Sequence, residues 1–156
     1  MKAAALQQAI YDRLSGYAPI TSVVGSRVYA KAPQPDDAGD GGDFPYLTIG
    51  PFNFTPWDTK TSIGQTVVVQ VHIWDRPSAS RSVTSTRALS DLVYDALHRY
   101  GLSVSGAHVV DCLFEGGAED IGDPDGKTAH VPMLFRVTYT ASDFSARLRF
   151  PLLMAA

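Results

Sequence analysis

Two stretches of strict alternation constrain this chain more than anything else in it. In QTVVVQVHIWDR, Gln65 to Arg76, the residues Val67, Val69, Val71 and Ile73 share one face, while Val68, Gln70, His72 and Trp74 share the other. In AHVPMLFRVTYTA, Ala129 to Ala141, the residues Val131, Met133, Phe135, Val137 and Tyr139 alternate with His130, Arg136, Thr138 and Thr140. A period of two belongs to strands, because a helix would spread the same residues around its circumference. Each stretch therefore predicts a strand inside a sheet, with one side on the main core and the other against something more polar.

The remaining segments arrange themselves around these two. Leu6, Ile10 and Leu14, with Ala3 and Tyr17, recur at helical spacing before Gly16, which predicts a helix from about Ala3 to Ser15. PITSVVG reads as a turn, RVYAKAP as a brief strand, and FPYLTIGPF as a strand with Pro45 near its beginning, where a missing N–H is tolerated. The Ser residues of RPSASRS are suited to capping a second helix. Ser85, Leu89, Leu92, Val93, Ala96, Leu97 and Tyr100 then repeat at helical intervals until Gly101. AHVVDCLFE and the Ala129–Ala141 strand are expected to pair antiparallel. The predicted fold class is α+β, a mainly antiparallel sheet of four to five strands with two helices packed on it.

A chain of 156 residues is long enough for one compact core and short for two. We expect one domain over residues 1–141 and a C-terminal extension over 142–156. That extension, SDFSARLRFPLLMAA, is rich in apolar residues and has no partner segment of its own. Phe144, Leu148, Phe150, Leu152 and Leu153 would form an uncovered patch on a monomer, and such patches usually meet another chain. These five are candidate interface residues.

Composition narrows the function. A formal net charge of -3 disfavours a protein that binds by neutralising phosphates, although DNA sliding past without holding is compatible with it. The single Cys112 excludes an internal disulfide, and a buried strand position suits it. Gln7, Gln8, Asp12 and Arg13 interrupt the N-terminal Ala run before an apolar signal region forms, and no stretch approaches the roughly 18 apolar residues of a membrane span. A soluble, non-secreted protein is expected.

Motifs for chemistry are weak. GDPDGKT, Gly122 to Thr128, has three residues before its Gly-Lys pair where a phosphate loop has four; it also enters a strand rather than a helix, and carries two aspartates. A Pro-Asp-Gly turn accounts for it better. The acidic loops with Asp36, Asp37, Asp40 and Asp43, and with Glu119, Asp120, Asp123 and Asp125, have Ca²⁺-type ligands without an ordered spacing. His72 and His130 would approach each other if their strands pair, yet no H-x-x-x-H or C-x-x-C accompanies them. No cofactor is implied. In the cluster His72 to Arg76, neighbouring side chains alternate in direction and do not converge on one point. The cluster reads as a strand leaving the sheet, with Trp74 and Arg76 as candidate interface residues because those types are enriched at binding hot spots.

The order of segments LQQAIYDRLSG, VVGSRVYAKAPQ, FPYLTIGPF, VVVQVHIWDR, ALSDLVYDALH and GKTAHVPMLFRVTYTA resembles the tail-completion, or tail-terminator, proteins of long-tailed bacteriophages over about residues 6 to 140. The resemblance carries no active site. It implies a small structural subunit, not an enzyme, that assembles as a ring of six copies on the end of the tail tube and stops its polymerisation. The partners so implied are copies of itself, the tail-tube protein and the head–tail connector protein, with DNA crossing the lumen and no membrane involved. The implied location is the neck end of the virion tail, after assembly in the host cytoplasm. Strand edges near FPYLTIGPF and the apolar extension supply candidates for the two unlike patches that a ring requires. Two other readings stand beside it: a head-closure or neck connector protein, and a metal-assisted hydrolytic enzyme using His72, His130 or the acidic loops.

Overall fold

The two alternating stretches are neighbours at the centre of a five-stranded sheet. The computed structural model describes residues 1–31, 44–76, 83–117 and 127–142. Its elements are α1 (Ala3–Gly16), α2 (Ala18–Val24), β1 (Val28–Tyr29), β2 (Tyr46–Pro56), β3 (Gly64–Asp75), α3 (Val83–Leu97), β4 (Ala107–Gly117) and β5 (Ala129–Ala141). The strand order is β1-β2-β3-β5-β4, antiparallel throughout except for the short parallel pair β1–β2. β3 and β5 run in unbroken register from Gly64 opposite Thr140 to Asp75 opposite Ala129.

Register follows from the alternation. A slip of one residue would turn Val67, Val69, Val71 and Ile73, each 0% exposed, toward the opposite face. That inner face also carries Leu47, Ile49, Met133, Phe135 and Val137; α1 and α3 pack on it, and α2 packs against both of them. α1 contributes Leu6, Ile10 and Leu14; α2 contributes Ile20 and Val24; α3 contributes Leu89, Val93, Ala96 and Leu97. Each such side chain taken from water stabilises the fold by about 1.5–3 kcal/mol, so this face dominates the energetics.

Two helix expectations need correction. PITSVVG is a helix, α2, rather than a turn, which brings the helices among the described residues to three where two were expected. Pro19 sits in its first turn, where an absent N–H costs nothing, and Ile20 and Val24 lie one turn apart toward the core. Seven residues are too few to establish a helical period in sequence. The second correction concerns α3, which stops at Leu97 well before Gly101. Arg99 takes the left-handed φ of 59° instead, and its N–H donates to the Cys112 carbonyl of β4 at 2.7 Å. A tertiary hydrogen bond thus ends this helix where a glycine cap was expected. The Ser-rich segment 77–82 before α3 lies outside the described residues.

Arg13 ties α1 to the end of α3. Its Nε donates to the Ala96 carbonyl at 2.8 Å while its guanidinium lies over the rings of Tyr17 and Tyr100, 4.6 and 3.8 Å from their centroids. A planar cation suits this placement, because it stacks and donates at the same time.

Candidate assembly interface

The outer face of the sheet is where the polar half of each alternating strand projects. Among the described residues no helix packs there. β-pairing sets Trp74 opposite His130 and His72 opposite Pro132, so residues far apart in sequence become neighbours. The Trp74 and His130 rings stack at 3.9 Å between centroids and 6° between planes. His72 Nδ1 lies 2.8 Å from His130 Nε2, one imidazole donating to the other. Trp74 Nε1 donates to Thr48 Oγ1 at 3.2 Å, and Tyr46 stacks on the far side of Trp74 at 6.1 Å. Phe44 packs on Tyr46, and the Arg76 guanidinium stands 4.7 Å from the centroid of Phe44. Burial lowers the His72 pKa below its usual value, and a backbone hydrogen bond with Gly50 acts in the opposite direction. The arrangement is an aromatic and imidazole ladder that stiffens the β2–β3–β5 face and keeps a flat surface half-covered.

The two edges of the sheet differ sharply. β1 covers the outer edge of β2 only at Leu47 and Thr48. Beyond them the register of β2 shifts between Ile49 and Phe52, where Gly50, at φ 121°, and Pro51 bulge opposite Gln70. The bulge returns Phe52 and Phe54 to the inner face, opposite Val69 and Val67, stacked on each other at 6.3 Å. It also changes which peptide groups face outward. The Trp57 N–H donates to the Gly64 carbonyl at 3.0 Å, so Asn53 and Thr55 direct their N–H and C=O toward β3, and those of Phe52 and Phe54 point away from the sheet. Among the described residues these outward groups have no hydrogen-bond partner. Trp57, 43% exposed, follows in the β2–β3 hairpin.

β4, at the opposite edge, is stoppered. Arg99 N–H occupies the Cys112 carbonyl, and His98 Nδ1 accepts from the Phe114 N–H at 3.0 Å. Bulges between Val109 and Asp111 and between Phe114 and Gly116 further break its outline. These are recognised ways of protecting an edge from pairing. Among the described residues β2 lacks them along Phe52–Pro56, apart from the proline that ends the strand.

Among the candidate residues, Trp74 and Arg76 stand at the upper end of the outer-face ladder, half-buried and engaged with their own chain. Phe144, Leu148, Phe150, Leu152 and Leu153 lie outside the described residues, as do the acidic positions of both loops. The expected approach of His72 and His130 is present. Among the described residues no three His, Cys, Asp or Glu side chains gather as a metal-ligand group. Asp75, the remaining member of the His72–Arg76 cluster, points to the helix side and is 1% exposed. The residues that sequence reasoning did not single out are Phe52, Phe54 and Trp57. A usable signal was present in Gly50-Pro51, since proline within a strand run marks an edge and glycine a bulge.

Stacked rings, a ladder of paired strands and an edge that no described residue covers make up this side of the sheet. Comparison with known proteins gives the chain its family. The family described as "Tail completion protein gp17" matches residues 8–140. The tail completion protein gp17 of Bacillus phage SPP1 is 30% identical over 135 residues, covering 86% of this chain and 91% of its own length. A solved chain from the virion of a native gene transfer agent particle shares the fold with a TM-score of 0.76 at 22% identity, covering 90% of this chain and 98% of its own. The chain belongs to the tail completion protein gp17 family. It is a structural protein of the phage tail.

Proposed function

We propose that this protein assembles as a closed ring of six copies on the end of the tail tube, stops tube growth there, and presents its other side to the head–tail connector. DNA crosses the lumen without specific binding, as suits a chain of net charge -3. The ring is assembled in the host cytoplasm and sits at the neck end of the tail. The observation that carries this reading is the inequality of the two sheet edges, β2 open at Phe52 and Phe54 and β4 closed by His98 and Arg99. A ring needs one patch of a subunit to meet a different patch of the next. An edge that accepts, on a subunit whose other edge is blocked against self-pairing, meets that need while disfavouring open-ended stacking of sheets.

Light scattering coupled to size-exclusion chromatography, with micrographs of the purified protein, tests it. The expected result is a ring that binds the end of tail tubes, and deletion of the gene should give overlong tubes. A strict monomer with no affinity for tubes would overturn the proposal. Heads that leak DNA beside tubes of normal length would move the protein to the head-closure side of the joint.

A further inference from the structure

Resting on the ring reading, we propose that the open edge of β2, Phe52 to Pro56, accepts residues Ala146–Phe150 of a second copy of this chain as an added strand. Three observations lead there. The acceptor is built: outward N–H and C=O groups of Phe52 and Phe54 stand in line, followed by the Pro56 carbonyl. Main-chain groups so arranged are the template for strand addition, with side-chain pockets giving specificity.

The strand that fills it does not come from the sheet of a neighbour, because the one long edge remaining there, β4, already spends the Cys112 carbonyl and the Phe114 N–H on Arg99 and His98. It must come from outside the sheet. Residues 143–156 are available, and they lie beyond the 8–140 span matched by the family. Within them Arg147, Leu148, Arg149 and Phe150 alternate with period two up to Pro151, which lacks an N–H and ends a pairing. In register, Leu148 and Phe150 fall on the face of Phe52 and Phe54, and Arg147 and Arg149 on the solvent side with Asn53 and Thr55.

The direction of exit selects the neighbour over the same chain. Ala141 N–H donates to the Ile63 carbonyl at 2.8 Å, and Ser142 N–H then donates to the Gly106 carbonyl at 3.3 Å, toward the β4 side of the sheet. From there the chain's own β2 edge lies across β5 and β3, roughly 15 Å at about 4.8 Å per strand, and behind the Trp57–Ile63 hairpin. Ser142 thus stands at the end of β5, two strands from β2, and passing the segment to the next copy is the head-to-tail arrangement of a heterologous ring contact.

The test uses full-length chains. Thr55→Cys and Arg149→Cys, made singly and mixed under mild oxidation with one chain carrying a size tag, should give a covalent pair of unlike chains. The double variant should give a ladder of linked oligomers. A chain ending at Ser142 should keep its circular dichroism and melting transition while its mass falls from ring to monomer. Linkage confined within single chains of the double variant, or rings that survive truncation, or rings that form without any Thr55–Arg149 linkage, would each overturn the proposal and leave the ring reading standing. An untruncated chain that is monomeric throughout would remove both.

Discussion

The Asp75 carboxylate at the end of β3 accepts a hydrogen bond from the Thr86 hydroxyl of α3 at 3.0 Å, with both residues 1% exposed. Its other oxygen accepts the Arg76 N–H at 2.7 Å. This bond fixes where α3 crosses the sheet. Asp75→Ala leaves the buried Thr86 hydroxyl unpaired and should cost about 2–4 kcal/mol, with Asp75→Asn costing less because its amide oxygen still accepts. A urea midpoint unchanged in Asp75→Ala would refute the assignment.

At Gly64 the neighbouring backbone leaves no room for a side chain. A Cβ there would lie 2.7 Å from the Trp57 carbonyl oxygen and 3.1 Å from that of Tyr139. Backbone atoms cannot swing aside as a flexible side chain would. Gly64→Ala should therefore destabilise by about 1–3 kcal/mol and weaken the hydrogen bond from the Trp57 N–H to the Gly64 carbonyl. Faster hydrogen exchange at the Trp57 amide is the expected readout, and an unchanged rate would count against it.

His72 sets a pH dependence. Its pKa in the folded chain lies below the ordinary 6.5 because burial disfavours the charged ring. The unfolded chain takes up this proton first as pH falls, so the contribution is complete above the unfolded value and declines from there toward the lower folded value. Stability should be level above about pH 7 and decline as pH falls below the unfolded value of about 6.5. In His72→Gln that decline should be smaller. A wild-type profile with no decline below about pH 6.5 would contradict this.

Cys112 should be inert while the chain is folded. Burial, and after it the charge of Asp111, push its thiol up to about 12. At pH 8 only about one thiol in ten thousand would be ionised, and the thiolate is the reactive form. Labelling by a thiol reagent should be negligible in the native protein and rapid in denaturant. Fast native labelling would show that the strand opens.

How much was legible in sequence differs from residue to residue. Val67 to Ile73 and Val131 to Tyr139 announced both central strands and their core-facing sides, and the observed strand over Ala129–Ala141 has the expected limits. The Leu6, Ile10 and Leu14 spacing predicted α1 to within a residue. Of the candidate interface, Trp74 and Arg76 could be named by type, but their stacking on His130 and Phe44 could not, because those partners arrive through pairing and chain reversal. The edge of β2 was legible in outline, since strand edges near FPYLTIGPF were a candidate patch and Gly50-Pro51 marks an edge or bulge. Which of its peptide groups face outward was not, because that depends on the register with β3.

Side-chain direction along an extended or helical backbone is local, so the sequence by itself determined the two central strands, the periodicities of α1 and α3, and the side of each that meets the core. Strand order, the bulge that turns Phe52 and Phe54 inward, and the hydrogen bonds by which His98 and Arg99 close β4 were decided only in the tertiary structure. They depend on contacts between segments distant in the chain, and the free energy of such contacts exists only once the chain has brought those segments together.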